Sequence, residues 1–369
     1  MDLKPAKEAD RKTPSGQSAR GLAAVILAAG QSTRMKTRLP KVMHEVCGQP
    51  MLAHVLNACR GAGITKLYVV VGFGGEVIQK AFAKDADVEF VQQAEQLGTG
   101  HAVQMCSDAL RGFAGDVVVV AGDMPMIRSE TLRDLVGGHR ATGSAGSLAT
   151  TVLEDPTGYG RIIRKTDGEF ERIVEQRDCT DEQLDIREVN PSYYCFDWQT
   201  LVDSLARITP DNAKKELYLT DTMAIIRESG KTVRASTSVA AEDAVGINSR
   251  ADLAGVNRLM QRRIQTQWMD TGVTIVDPNT TWLDGRCVIG RESVIHPFTC
   301  IEGGARIGRG CTIGPYALLR DGVVVEDGVT VGPGALNAFD AAARGRSGDS
   351  HPPEKSRAVR RPPARTGCE

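Results

Sequence analysis

The first chemistry-bearing stretch of the chain is residues 27–41, LAAGQSTRMKTRLPK. Ala28, Ala29 and Gly30 carry almost no side chain, so the backbone there can approach a ligand closely. Backbone N–H groups in such a loop can cradle phosphate oxygens. Arg34 and Lys41 add two cations, and Pro40 stiffens the approach to Lys41. The set suits a triphosphate, whose charge must be neutralised before another phosphate can attack it. A Gly-containing loop taken alone is equally a tight strand-to-helix turn with solvated basic residues. The stretch fits neither the G-x-x-x-x-G-K-[ST] phosphate loop nor the G-x-G-x-x-G dinucleotide fingerprint. No Ser-His-Asp set is evident. His44, His54, His101, His139 and His296 lack metal spacing and read as structural or surface residues.

The elements that must position this loop follow from hydrophobic periodicity. LAAVILAAG (22–30) is an apolar run ending in Gly, as in a central parallel strand. A helix is expected over 50–61, strands over 66–72 and 88–93, a helix over 101–110 and a strand over 116–126. This alternation implies an α/β domain with a mostly parallel sheet, whose ligands bind at the carboxyl ends of the strands. Between 145 and 239 come short strands (SLATTVL, GRIIRK, ERIVE, PSYYCF) and a helix over 217–230. Further on, Ile289, Ile295, Ile301, Ile307, Ile313, Leu319, Val325 and Val331 recur every six residues, with Leu283 extending the series. Gly follows the apolar position at 290, 308, 314 and 332. A β-meander does not hold a period of six; a parallel β-helix does, with each sixth side chain pointing inward. Three hexads per coil make about three coils.

The 369 residues exceed one typical domain and suffice for about two. A formal net charge of -1 gives no global basic field, so no nucleic-acid partner is expected. Nine cysteines without a CxxC spacing indicate neither a disulfide framework nor a zinc site, and reduced thiols in a cytoplasmic protein are the expectation. No apolar run is long enough to span a bilayer, and the first twenty residues have no apolar core of a signal peptide. The expected layout is a disordered arm (1–20), an α/β domain (21–255), a linker helix (256–272), a hexapeptide β-helix (273–338) and a disordered basic tail (339–369), the last with an anion-binding arm as its alternative.

The string G-x-S-T-R-M from Gly30, followed by Pro40-Lys41, closely resembles the sugar-nucleotide pyrophosphorylase pattern G-x-G-T-R-M…P-K. Further matches follow in order: QAEQLGTGHA (93–102), GDMPMI (122–127), DPTGYGRI (155–162), IVEQRDCTDEQ (173–183), ELYLTD (216–221) and VGINSR (245–250). Together, over roughly 22–335, they resemble the pyrophosphorylase half of the bacterial bifunctional N-acetylglucosamine-1-phosphate uridylyltransferase/glucosamine-1-phosphate acetyltransferases. The resemblance implies a Rossmann-like nucleotide-diphospho-sugar transferase domain followed by a short left-handed parallel β-helix. It implies uridylyl transfer from UTP to N-acetylglucosamine 1-phosphate, with Mg2+ as cofactor. Leu27, Ala28, Ala29 and Gly30 would form the nucleotide loop, and Arg34 and Lys41 would contact the triphosphate. Gln93, Gly98 and Thr99 would place the uridine. Gly122 would sit beside Asp123 at a strand end, and Gly160, Glu175 and Asn190 would contact the N-acetylglucosamine. Asp123 and Asn248 would hold the metal, an incomplete oxygen shell of the kind Mg2+ accepts when phosphates and water complete it. Self-association through the β-helix, as a trimer, is also implied.

Three departures stand out. Ser32 replaces the second Gly of the loop, and Ala121 replaces a tyrosine common before Gly-Asp. The repeat is left near Gly334, short of the coils that carry the family's acetyl-coenzyme A site, with only Arg320 at a matching position, so acetyl transfer is expected to be absent. The alternatives are a nucleotidyltransferase for another sugar 1-phosphate and a nucleotide-sugar-binding regulator without turnover. The presence of Arg34, Lys41 and Asp123 together disfavours the regulator.

Overall fold

The computed structural model describes residues 20–31, 33–335 and 359–360. Ser32 and the remainder of the expected arm and tail lie outside the described residues. In chain order the first domain contains β1 (Gly21–Ala28), a small hairpin of β2 (Glu45–Val46) and β3 (Gln49–Pro50), α1 (Met51–Gly61), β4 (Leu67–Val71), α2 (Gly75–Ala81) and β5 (Val88–Gln92). There follow α3 (Thr99–Gln104), β6 (Gly115–Ala121), α4 (Ser129–Ala141), β7 (Gly146–Val152), β8 (Gly160–Arg164), β9 (Phe170–Val174) and α5 (Asp181–Leu184). The domain closes with β10 (Glu188–Asp197), α6 (Trp198–Leu205), α7 (Asp221–Glu228), β11 (Val233–Thr237) and the long α8 (Arg250–Asp270).

The main sheet runs β11-β7-β10-β6-β1-β4-β5, with β8 paired to β10 and β9. β5, β4, β1 and β6 are parallel, and β10 enters antiparallel between β6 and β7. The period of two sorts the apolar runs onto opposite faces. Ala24, Ile26, Val69, Val118 and Val120 pack on one side; Ala23, Val25, Val70, Val117 and Val119 pack on the other. Both faces are buried, which is why β1 reads as an uninterrupted apolar run.

Several boundaries differ from the periodicity. The helix expected over 217–230 starts only at Asp221. The backbone before it is committed elsewhere: Leu217 N donates to Leu97 O at 2.7 Å, Gly100 N to Leu217 O at 2.8 Å, and Leu219 N to Thr99 Oγ1 at 3.0 Å. The helix expected over 101–110 is likewise confined to Thr99–Gln104 and a following 3-10 turn. β6 stops at Ala121 rather than 126, where Gly122 N donates to Leu27 O at 2.9 Å and the chain turns into the site. The linker helix begins at Arg250, six residues before the expected 256, because Ser249 and Asp252 form a reciprocal capping box.

The left-handed parallel β-helix follows as ten two-residue strands, β12 (Thr274–Ile275) through β21 (Thr330–Val331), in three flat faces whose members pair in parallel at a spacing of 18 residues after the first turn. Of the expected disordered tail, Val359–Arg360 is described, and it pairs antiparallel with Val324–Val325. That pair is the last rung of its face, an open edge that another strand can complete.

The solenoid is not tethered by a free linker. Its inward residues Leu283, Ile289, Ile295, Ile301, Ile307 and Ile313 share one core with Val256, Met260 and Ile264 of α8 and with Val46, Met51, Met126 and Ile247 of the first domain. Gly285 N donates to Cys47 O at 3.0 Å, Leu283 N to Gln261 Oε1 at 2.9 Å, and Cys47 N to Asn257 Oδ1 at 2.9 Å. Gly48 has φ +82°, and a Cβ there would lie 1.6 Å from Asp284 Oδ2, so this contact admits only glycine. No helix among the described residues is long and apolar enough to cross a membrane. The described cysteines are all free thiols.

A continuous core predicts joint unfolding. Ile301→Ala, at a fully buried position, should cost about 2–5 kcal/mol. In denaturant titrations, far-UV circular dichroism and fluorescence of single-tryptophan variants retaining Trp198 or Trp268 should report one coincident transition; separate midpoints would show independent modules.

Candidate active site

A cavity of about 510 Å³ opens at the carboxyl ends of β1 and β6, the place where a parallel sheet presents its loops. Leu27, Ala28, Ala29 and Gly30 form its floor. Their backbone is held by Gly122 N on Leu27 O at 2.9 Å and by Gln96 Nε2 on Ala29 O at 2.8 Å. A Cβ on Gly30 would meet nothing within 4 Å, so the space over the loop belongs to the cavity.

Arg34, Lys41, Asp123 and Asn248 form one cluster in the cavity. Lys41, opening a 3-10 turn after Pro40, donates from Nζ to Asn248 Oδ1 at 2.8 Å and makes an ion pair with Asp123. Arg34 Nη2 donates to the same Asn248 oxygen at 2.9 Å. Asn248 is fixed from behind, since its N–H donates to Asp252 Oδ2 at 2.9 Å in the cap of α8. A carboxylate and an amide oxygen therefore converge on a single cation position, now taken by the Lys41 ammonium. Among the described residues no group of three or more His, Cys, Asp or Glu could hold a metal. This donor set fits a hard divalent cation that takes its remaining ligands from phosphate and water, and does not fit a closed all-protein site.

Gln93, Gly98 and Thr99 form another stretch of the lining. Gln93 is buried, and its Nε2 donates to Gly98 O at 3.1 Å and faces His101 Nδ1 at 3.1 Å. Its amide group is thus held in one orientation against the turn. Thr99 Oγ1 is occupied by the Leu219 N–H and ties the turn to the segment before α7.

Glu175, Ser192, Tyr194, Lys214, Glu216 and Thr220 make the remaining wall. Burial pushes the Glu175 carboxyl above the usual carboxylate range, against the opposing pull of the Lys214 ammonium and the Thr220 hydroxyl, which donates to Glu175 Oε1 at 3.4 Å. Asn190 does not line the cavity. It sits at a bulge in β10, where Nδ2 donates to Tyr194 Oη at 2.6 Å and Oδ1 accepts from Ser192 N at 2.9 Å. Ser192 has φ +66°. Gly160 packs behind the wall; a Cβ there would stand 3.0 Å from Ile173 Cγ2 and 3.5 Å from Glu175 Oε1. Gly122 backs the floor, with its virtual Cβ 3.1 Å from Leu27 O.

The structure thus brings Leu27, Ala28, Ala29, Gly30, Arg34, Lys41, Gln93, Gly98, Thr99, Asp123, Glu175 and Asn248 to one cavity, and sets Gly122, Gly160 and Asn190 behind it. The sequence reading singled out none of Gln31, Gln96, Ser192, Tyr194, Lys214, Glu216 or Thr220. Gln31, Gln96, Glu216 and Thr220 lie inside quoted motifs and were within reach. Ser192 and Tyr194 depend on a bulge with no sequence signal, and Lys214 depends on the path of an irregular loop.

Gly98 is the most constrained glycine of the wall: φ is +118°, and a Cβ would lie 2.5 Å from Leu217 O and 2.7 Å from Leu217 N. Gly98→Ala should destabilise by about 1–3 kcal/mol. Gly137→Ala, inside α4 with open space around it, should instead be neutral or gain up to about 1 kcal/mol. Chemical denaturation of the two variants checks the contrast.

Both parts of the chain are similar to known proteins. Residues 24–217 match the MobA-like NTP transferase domain, and 286–321 and 304–336 match the bacterial transferase hexapeptide (six repeats). The bifunctional protein GlmU of Geobacillus thermodenitrificans is 44% identical over 279 residues, covering 76% of this chain and 60% of that protein. The Geobacter metallireducens protein of the same name is 47% identical over 276 residues, covering 75% and 58%. The aligned region spans about 60% of the length of these relatives. A UDP-glucose pyrophosphorylase crystallised with UDP-glucose superposes with a TM-score of 0.55 at 17% identity, over 66% of this chain and 99% of that one, a likeness of fold. By its match over more than half of its length, the chain belongs to the MobA-like NTP transferase domain family, and hexapeptide repeats follow that domain.

Proposed function

We propose that this chain transfers a uridylyl group from UTP to N-acetylglucosamine 1-phosphate, giving UDP-N-acetylglucosamine and pyrophosphate. The observation that carries the reading is the meeting of Arg34, Lys41, Asp123 and Asn248 beside the Gly30 loop. An oxygen of the sugar phosphate attacks the α-phosphorus in line, and the bond from that phosphorus to the bridging oxygen of the leaving pyrophosphate breaks. The nucleophile is already anionic near neutral pH, so no general base is required, and the work is positioning and charge neutralisation. Backbone N–H groups of the 28–31 turn cradle phosphate oxygens, and Arg34 and Lys41 offset the charge that passes to the leaving group. Gln93, held by Gly98 and His101, presents its amide to the base. Asp123 and Asn248 would hold the metal, which we assign as Mg2+; bound there with phosphate, it supplies further neutralisation and alignment.

N-acetylglucosamine 1-phosphate is preferred over other sugar phosphates on two grounds: the Gly160, Glu175 and Asn190 pattern, and the identity to the bifunctional GlmU proteins. Glu175 and Thr220 offer hydroxyl-binding oxygens in a cluster separate from Arg34 and Lys41. Asn190 supports that wall through Tyr194 and Ser192, a positioning part in place of direct contact. Assembly through the solenoid, as a trimer, is part of the proposal. The exposed Phe298 and Tyr316 rings, stacked at 4.9 Å on its outer surface, favour it.

Pyrophosphate release from UTP, measured against a panel of sugar 1-phosphates, tests the reading. N-acetylglucosamine 1-phosphate should be the best acceptor, and turnover should vanish with EDTA. Asp123→Ala should lower turnover by about 10²-fold or more at limiting Mg2+ with little change in melting. Near-wild-type release by that variant would sink the metal assignment. Of the family's acetyl-transfer positions only Arg320 is matched, so thiol release from acetyl-coenzyme A with glucosamine 1-phosphate should stay at background for this chain.

A further inference from the structure

The two oxygen donors of the cation cluster stand on segments far apart in sequence, one after β6 and one before α8. Ile247 N donates to Asp123 O at 3.2 Å, so the backbones of the two segments touch directly. Two guanidiniums join them again, Arg128 from the β6 side and Arg263 from α8, and only Arg263 ties both segments to the helix. Arg263 of α8 donates from Nη1 to Met126 O at 2.9 Å and from Nη2 to the carboxylate of Asp243. Asp243 is 2% exposed and is gripped by Arg128 as well, while its backbone oxygen accepts from Tyr193 Oη at 2.8 Å. The result is a closed ring: residues 123–126, Arg263, residues 243–247, and back to Asp123. Met126 and Ile247, one on each segment, are buried in the core that α8 shares with the solenoid. Resting on the transferase reading above, we propose that Arg263 is a positioning residue for the metal donors: from the helix that anchors the β-helix, it fixes the spacing of Asp123 and Asn248.

The alternative is an arginine that only holds two modules together. The two differ in what the loss of Arg263 changes. A mere tie would cost stability and leave metal affinity untouched. A positioning residue lets the ring open, so the donors no longer converge, and the apparent metal affinity falls while turnover at saturating metal recovers. Loss of such outer supports typically weakens metal binding by about 10–100-fold.

The experiment is Mn2+ binding by electron paramagnetic resonance to the full chain with UTP present, beside the Mg2+ activation curve of pyrophosphate release, for wild type, Arg263→Met and Arg263→Lys. Arg263→Met should weaken Mn2+ binding by about tenfold and shift the Mg2+ activation midpoint by a similar factor, with kcat at saturating Mg2+ within about twofold of wild type. Arg263→Lys, which keeps the charge but not the fork, should fall between. A folded Arg263→Met with unchanged Mn2+ affinity overturns the inference. If Arg263→Met does not fold, Arg263→Lys decides by the same two measurements. A wild type that neither binds Mn2+ with UTP nor releases pyrophosphate overturns the transferase reading itself, an outcome distinct from an active wild type with an indifferent variant.

Discussion

Lys41 Nζ sits between the Asp123 carboxylate and the Asn248 amide oxygen. Three segments far apart in sequence must be folded correctly for that contact to exist. Lys41 arrives from the turn after β1, Asp123 from the end of β6, and Asn248 from the cap of α8. β1 and β6 are paired in parallel from Gly21 with Gly115 to Leu27 with Ala121, so their loops open at one edge by construction. Asn248 comes from some 125 residues further along, and β11, paired with β7, returns the chain to the far edge of the sheet but not to the cavity. Asn248 is returned by the Ile247–Asp123 backbone bond and by the burial of Ile247 in a core built mainly from α8 and the solenoid. The concentration of charge that suits a triphosphate thus depends on packing well outside the cavity.

That dependence gives the solenoid a role beyond length. Each coil presents inward residues to a filled interior, and the lowest coils share that interior with the first domain. Burying such side chains is worth about 1.5–3 kcal/mol each before entropy is counted, so the joint is stiff. Its tightness shows at Gly48, where even a methyl group would run into Asp284. The polar groups of the joint are answered in kind: Gln261 serves both the N–H and the carbonyl of Leu283, and Gln265 donates to Pro278 and Thr281 carbonyls. Buried amides satisfied this way fix one register between helix and coil.

The features legible in the sequence were those that repeat or cluster. The period of six announced the β-helix because every sixth side chain must fill a narrow interior. The apolar run of β1 announced a strand covered on both faces. The loop motifs announced the cavity floor and its cations. What escaped were consequences of tertiary commitment. Residues 217–219 have helical spacing, yet their backbone groups are spent on the 97–100 turn, so α7 starts late. Asn190, expected at the sugar, turns inward at a bulge and donates to the Tyr194 hydroxyl. Arg263 lies in a helix whose sequence reads as an ordinary charged linker. Only the fold reveals that it reaches two backbone segments at once.

The cavity also holds two separate charged clusters. Arg34 and Lys41 meet Asp123 and Asn248 in one, and Glu175 lies near Lys214 and Thr220 in the other. Close to that second cluster, burial and the nearby Asp178 carboxylate push Asp221 up to about 6, while burial pushes Glu175 up as well. A triphosphate placed against this acidic wall would meet like charge. At 4 Å and an effective dielectric of 20, one such pair costs about 4 kcal/mol. The same wall suits sugar hydroxyls, which can donate to carboxylates. On the proposed reading, orientation needs no separate device: the phosphates are drawn to the cation cluster and the sugar settles where anions are repelled. The acceptor's own phosphate must then reach toward Lys41 and Arg34, which is the direction of in-line attack on the α-phosphorus.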